Sequence, residues 1–246
     1  KRVHGGKLAM AWPVAAIPLR LHSAAMPVHT QHHPRTWRQG WAVPAFRAAL
    51  LAGCAVGAVV AVALPHFFAW IDARPVMIPE DPLLSHWGPQ DVSSIIFTVL
   101  YGTLVVVLAS IAKRPLRVLQ GLYAYVLILL LRMLAMTLLT FAPPPDIIPL
   151  VDPFTQGFYP GGTPFLKDLF FSGHTATLML MALLAERRWA KWVAGVATVA
   201  IGALVLLQHV HWTVDVLVAV PAAWVAWKGA AAVLRTLGLP ISSEVA

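Results

Sequence analysis

The chain has 246 residues, of which 59% are hydrophobic and only 11% charged, against about 25% charged in an ordinary soluble domain. That balance excludes a water-soluble globular enzyme and points to an integral membrane protein. The formal net charge of +8 does not indicate a nucleic-acid partner, because the basic residues stand dispersed at the ends of apolar runs and form no long patch-forming run; membrane topology and anionic lipid headgroups account for them.

Residues 1–47 read as a flexible basic tail. The segment carries Arg2, Lys7, Arg20, Arg35, Arg38 and Arg47, five histidines (His4, His22, His29, His32, His33), no acidic residue and no apolar run of membrane length. Its composition resembles a transit peptide, and Met26 is an alternative start that would place residues 1–25 outside the native protein. His32-His33 reads as part of this tail rather than as a metal site.

Six apolar runs follow, approximately Ala48–Trp70, Val92–Ile111, Val118–Ala142, Phe171–Ala185, Trp189–Leu207 and Thr213–Trp227. A hydrocarbon core of roughly 30 Å takes about 20 apolar helical residues to cross. The fourth run is short and calls for interfacial flanks or a locally thin bilayer. The expectation is an all-α membrane protein of six transmembrane helices: a tail (1–47), one six-span catalytic domain (48–235) and a C-terminal tail (236–246). Cys54, the sole cysteine, lies in the first run, reads as a packing residue, and excludes an intrachain disulfide.

Orientation follows from Lys and Arg. Arg35, Arg38 and Arg47 precede the first run, Lys113, Arg114 and Arg117 separate the second and third, Arg187, Arg188 and Lys191 separate the fourth and fifth, and Lys228 and Arg235 close the sixth. All fall on one side, cytoplasmic by the positive-inside rule, with both termini. The other side holds Asp72, Glu80, Asp81, Asp91, Asp146, Asp152 and Asp168. Its larger loops, Asp72–Asp91 and Pro143–Phe170, are rich in Pro, Gly and aromatics and suit a lid or interfacial shelf.

The reactive candidates open two runs on that second side. Ser172-Gly173-His174 begins the fourth and His211-Trp212-Thr213-Val214-Asp215 begins the sixth. A histidine and an aspartate four apart share a helix face, so Asp215 can hold the His211 imidazole in one tautomer and stabilise its cation. His174 can then supply acid and base steps. The alternative is a polar staple between helices; against it, ionisable groups in spans mark function by default, and here several converge. Gly173 admits close backbone approach, and the helix start beside it favours phosphate. Arg132, expected about 15 Å from the outer end of its helix, is too deep to snorkel and either holds a phosphate or sets packing as an ion pair. Asp168 is either a histidine partner or a loop acid. His174, His209, His211 and Asp215 are possible zinc ligands, but His209 and His211 are expected to point to different sides of a helix, and no metal or other cofactor is expected.

These blocks resemble the two histidine motifs of the type-2 phosphatidic acid phosphatase superfamily, and more closely its sphingomyelin synthase branch. Asp168-Leu169-Phe170-Phe171-Ser172-Gly173-His174-Thr175 resembles that branch's first block, His209-Val210-His211-Trp212-Thr213-Val214-Asp215-Val216 its second with Trp212 in place of Tyr, and the stretch from Arg132 to Thr140, followed by Pro143, its third-span block. The similarity covers roughly residues 92–228. Ordinary phosphatases of the superfamily carry Pro before Ser-Gly-His, an upstream Lys/Arg-Pro motif and a Ser-Arg pair before the second histidine. This chain has Phe171, no clear upstream counterpart, and Leu204-Val205. Without those phosphate-binding arginines a phosphodiester suits the site better than a monoester.

The resemblance implies a transferase that moves a phospho-headgroup from a glycerophospholipid donor to a lipid alcohol such as ceramide, or to water. In that reading His211 is the nucleophile, Asp215 its orienting carboxylate and His174 the acid and base, with Arg132, Ser172, Gly173, Asp168 and His209 on the substrate. The alternatives are a lipid phosphatase or phospholipase C-type hydrolase, and a non-catalytic lipid-binding protein. A homo-oligomer is compatible with the sequence.

Overall fold

Prolines and a threonine set where the chain enters its helices. Thr36 caps α1 (Trp37–Ala42) in a reciprocal capping box with Gln39, and Pro44 and Pro115 stand in the first turns of α2 (Pro44–Asp72) and α4 (Pro115–Leu138), where the missing N–H costs nothing. The remaining helices are α3 (Ser93–Ile111), α5 (Gly173–Leu184), α6 (Arg188–Leu207) and α7 (Thr213–Thr236), with one 3-10 turn at Leu84–His86. The structure is a computed structural model that describes residue 1 and residues 34–150, 166–167, 170–239 and 241. The expected tail up to residue 33, Asp152 and Asp168 therefore lie outside the described residues.

The protein is an all-α membrane protein. Among the described residues, five helices (α2, α3, α4, α6, α7) are long and apolar enough to cross a bilayer. Their outward faces are apolar and exposed, as at Val62 (71%), Val199 (74%) and Leu217 (66%), which suits lipid rather than water. The fourth expected span departs from that length: α5 has 12 residues, about 18 Å of rise. It packs against α3, α4, α6 and α7, and Ala176, Leu178 and Leu180 are fully buried. Enclosed by protein, α5 needs neither a thin bilayer nor interfacial flanks.

Other boundaries move for local reasons. The first span begins at Pro44 rather than Ala48, with α1 before it, inside the segment read as tail. The third ends at Leu138 rather than Ala142, because the chain turns extended at Leu139 and Phe141 pairs with Met77 in an isolated bridge closed by Met77 N–H to Thr140 O (2.8 Å) and Ala142 N–H to Met77 O (2.8 Å). Arg132 consequently lies about 9 Å of helical rise below the end of α4, closer to that end than expected. The sixth span continues past Trp227 to Thr236.

Small residues let the helices approach closely. Ala219, Ala223, Ala226 and Ala230 form a buried stripe on α7 within the same core as Ile128, Leu180 and Leu184. Two polar contacts fix α4 and α5 antiparallel: Arg132 Nε donates to Phe171 O (2.9 Å) at one end, and Arg117 Nε meets Glu186 Oε1 (3.3 Å) at the other. The beginnings of α5 and α7 thereby share one end of the bundle.

Candidate active site

Ser172 stops the chain from being helical one residue earlier. As N-cap of α5 its Oγ accepts from Thr175 N–H (3.4 Å) and Thr175 Oγ1–H (3.1 Å), while its own N–H donates to Asp215 O (3.0 Å). That bond ties the two histidine blocks together through the backbone. The rings of His174 and His211 lie with centroids 6.4 Å apart at an interplanar angle of 66°. His174 is half-buried, whereas His211 is 4% and Asp215 0% exposed.

His211 Nδ1 sits 3.4 Å from Asp215 Oδ2, within ion-pair range but without hydrogen-bond geometry, and Asp215 Oδ1 is likewise buried without a hydrogen-bond partner. Asp215 Oδ2 also accepts the Trp212 N–H (2.8 Å), so the carboxylate is anchored to the helix start while leaning on the imidazole.

Gly173 is required by its neighbour. A Cβ built there would lie 2.7 Å from Arg132 Nη1 and 3.0 Å from its Cζ, so the guanidinium rests directly on the Gly173 backbone at the start of α5. The structure thus brings together His174, His211, Asp215, Ser172, Gly173 and Arg132; Asp168 is outside the described residues.

His209 has other work. Neither it nor His211 is helical: both lie in the turn between α6 and α7, contrary to the expected placement on one helix. α6 ends in a Schellman pair, His209 N–H to Leu206 O and Val210 N–H to Val205 O, each 3.0 Å, with His209 left-handed at φ 56°. Its Nδ1 bonds Pro145 O (3.0 Å) and its ring is buried. The Pro143-Pro144-Pro145 run has carbonyls but no N–H groups, and the turn donates to its last carbonyl through His209 and to carbonyls on either side of it, Trp212 Nε1 to Ala142 O (2.8 Å) and Gln208 Nε2 to Ile148 O (3.2 Å). Gln208 also accepts Val92 N–H (3.1 Å).

Residues 167–230 match the family model of the PAP2 superfamily C-terminal domain. The matched stretch contains both histidine blocks and excludes Arg132. No curated protein and no solved structure matches the chain.

Sequence reasoning passed over Asp81, reading it only as an outer acid. Its carboxylate holds the start of α7, Oδ2 accepting Thr213 N–H (2.7 Å) and Oδ1 accepting Thr213 Oγ1–H (3.0 Å), and it also caps the 3-10 turn through Leu83 N–H (3.1 Å) and Leu84 N–H (3.3 Å). Burial raises its pKa, but the Thr213, Leu84 and Leu83 bonds outweigh this and hold it below the ordinary carboxylate value. A depressed pKa stabilises the fold above the unfolded value, and that contribution is lost as pH falls through the folded value. Asp81→Asn is accordingly expected to lower the thermal midpoint at pH 7 and to differ little from wild type once the medium is acid enough to protonate Asp81; parallel melts at both pH values check this.

Proposed function

We propose that the protein transfers a phospho-headgroup between lipids through a phosphohistidine on His211. The observation that carries this reading is the pairing of two imidazoles 6.4 Å apart with a fully buried carboxylate behind one of them. One phosphorus between the rings can be within reach of both. Asp215 favours the Nδ1–H tautomer, so Nε2 of His211 carries the lone pair that attacks phosphorus while the ester oxygen of the donor glycerolipid leaves. His174 gives that oxygen its proton and diacylglycerol departs. His174, now neutral, takes the proton of an acceptor hydroxyl, whose oxygen attacks the phosphohistidine and releases His211. A lipid alcohol such as ceramide as acceptor gives a phospholipid product; water gives hydrolysis.

A diester donor fits the local charge. Arg132 is the arginine seated at the start of α5, a modest complement for the single charge of a phosphodiester, and guanidinium forks suit such oxygens. The similarity of the Asp168–Thr175 and His209–Val216 blocks to the sphingomyelin synthase branch favours transfer over monoester hydrolysis. The deciding experiment incubates purified protein with labelled phosphatidylcholine, phosphatidylethanolamine, phosphatidylglycerol and, separately, phosphatidic acid, each with and without ceramide, and identifies products by mass. Expected are diacylglycerol and a headgroup-bearing ceramide; inorganic phosphate from phosphatidic acid as the sole product would select the phosphatase reading, and saturable lipid binding without turnover the non-catalytic one. Because no step is assigned to a metal, chelation should leave turnover unchanged, and loss restored by zinc would overturn the mechanism.

We also propose that the histidine end faces the non-cytoplasmic side, on the distribution of Lys and Arg. In a Cys54→Ala background, an impermeant thiol reagent applied to intact cells should label Gly88→Cys, an exposed loop position, and spare Ala112→Cys in the turn at the other end. The opposite pattern would invert the topology.

A further inference from the structure

At the end of the bundle away from the histidines, an open cleft of about 600 Å³ is lined by Arg35, Thr36, Lys113, Arg114, Glu186 and Arg187. It is held by defined contacts. The Trp37 indole N–H donates to Ala112 O (2.7 Å), which pins the Arg35-Thr36 wall to the α3–α4 turn. Glu186 reaches Arg114 (3.2 Å) and Arg117 (3.3 Å), joining that turn to the α5–α6 turn.

The charge within this cleft does not cancel. Glu186 is its one acid among the described lining residues and is already shared between two arginines, while Arg35, Lys113 and Arg187 also border the space. Arg114 and Arg187 directly precede α4 and α6, helices with neither an acidic residue in the first turn nor a side-chain cap, so the helix dipoles add to the positive potential instead of offsetting it. Positive topology signals explain why cations occupy this end. They do not explain why cations from three separate segments border one space.

Depth supplies the occupant. Trp41, Trp189 and Trp192 are 48%, 53% and 72% exposed and flank this end of α2 and α6, the placement of indoles at a membrane interface. An anion that meets the cleft at that level belongs to a lipid headgroup. We propose that the cleft binds the phosphate of an anionic phospholipid in the leaflet opposite the histidine site. α5, about 18 Å long, separates the two sites, and the lipid held here is not the reacting one; the proposal stands independently of the chemistry at His211.

Native mass spectrometry of the full chain in a non-ionic detergent, with equimolar phosphatidylglycerol and phosphatidylcholine, tests it. Wild type should retain phosphatidylglycerol over phosphatidylcholine by about tenfold, within what a few surface cations supply. The combined variant Arg35→Gln, Lys113→Gln, Arg187→Gln should lose that preference, while the charge-conserving Arg35→Lys, Arg187→Lys should keep it. Unchanged preference in the neutralised variant or loss in the charge-conserving one would each overturn the proposal. So would displacement of phosphatidylglycerol by millimolar inorganic phosphate, which would mark the cleft as a free-anion site.

Discussion

Replacing His211 by Ala is expected to abolish lipid turnover while leaving the helical fold intact. The imidazole is the proposed attacking group, with Nδ1 3.4 Å from Asp215 Oδ2 and its ring centroid 6.4 Å from that of His174. Asp215→Asn removes the charge behind the imidazole. Oδ2 both accepts the Trp212 N–H and lies beside His211 Nδ1, so an asparagine either keeps its carbonyl there and offers no negative charge, or turns its NH₂ there, giving up the Trp212 bond and favouring protonation of Nε2, the wrong tautomer for attack. The corresponding change in a serine protease triad costs about 10⁴ in kcat. Turnover measured under saturating donor, with circular dichroism and a thermal midpoint as fold controls, should show a loss of that order for Asp215→Asn. Retained turnover in His211→Ala would mean that the nucleophile is elsewhere.

Gly173→Ala should lower turnover by about 10²-fold, the order of loss that follows from an ångström-scale misplacement in an active site. The added Cβ, 2.7 Å from Nη1 of Arg132, must push the guanidinium off the start of α5. Arg132→Ala removes the same cation outright and should cost about 10² to 10³, as loss of a preorganised group facing developing charge does. The two changes act on one contact, so they should not add. In the Arg132→Ala background Gly173→Ala should cost little, because the atom it collides with is gone, and a double-mutant cycle on kcat reads this coupling. Full additivity would mean that Gly173 is needed for something other than the guanidinium.

Composition and the length of the apolar runs are enough to place the membrane helices, since a run of apolar residues has little else to do. Their ends were less legible. Nothing in Thr140-Phe141-Ala142 announces that these residues leave α4 to pair with Met77, a contact 64 residues distant in the chain. The shortness of α5 was visible, but not its consequence: only packing shows that α5 is walled off from lipid by α3, α4, α6 and α7. At the candidate site, the Ser-Gly-His and His-x-x-x-Asp blocks are visible in the sequence, but the backbone that carries them is not: His209 and His211 lie in the turn between α6 and α7, left-handed at His209, so neither the four-residue spacing to Asp215 nor the two-residue spacing between the histidines is a purely helical one. The sequence around Asp81 carries a local turn cap but nothing that points to α7, and Gln208 has no local signal. The partners that matter for the site, Thr213 for Asp81 and Val92, Ser93 and Ile148 for Gln208, are remote in sequence, and these polar residues acquire meaning only when the loops are brought against the turn that holds His211.

The most direct test is rapid-quench mass spectrometry of wild-type protein turning over a labelled glycerophospholipid. Phosphohistidine is labile in acid and stable in alkali, so the quench is alkaline and the digest is searched for an increment equal to the donor's phospho-headgroup. Expected is that increment on the peptide bearing His211, forming and decaying no slower than turnover and absent in His211→Ala. The increment on His174 instead, or sustained turnover with His211 unmodified at every time point, would contradict a phosphohistidine mechanism centred on His211.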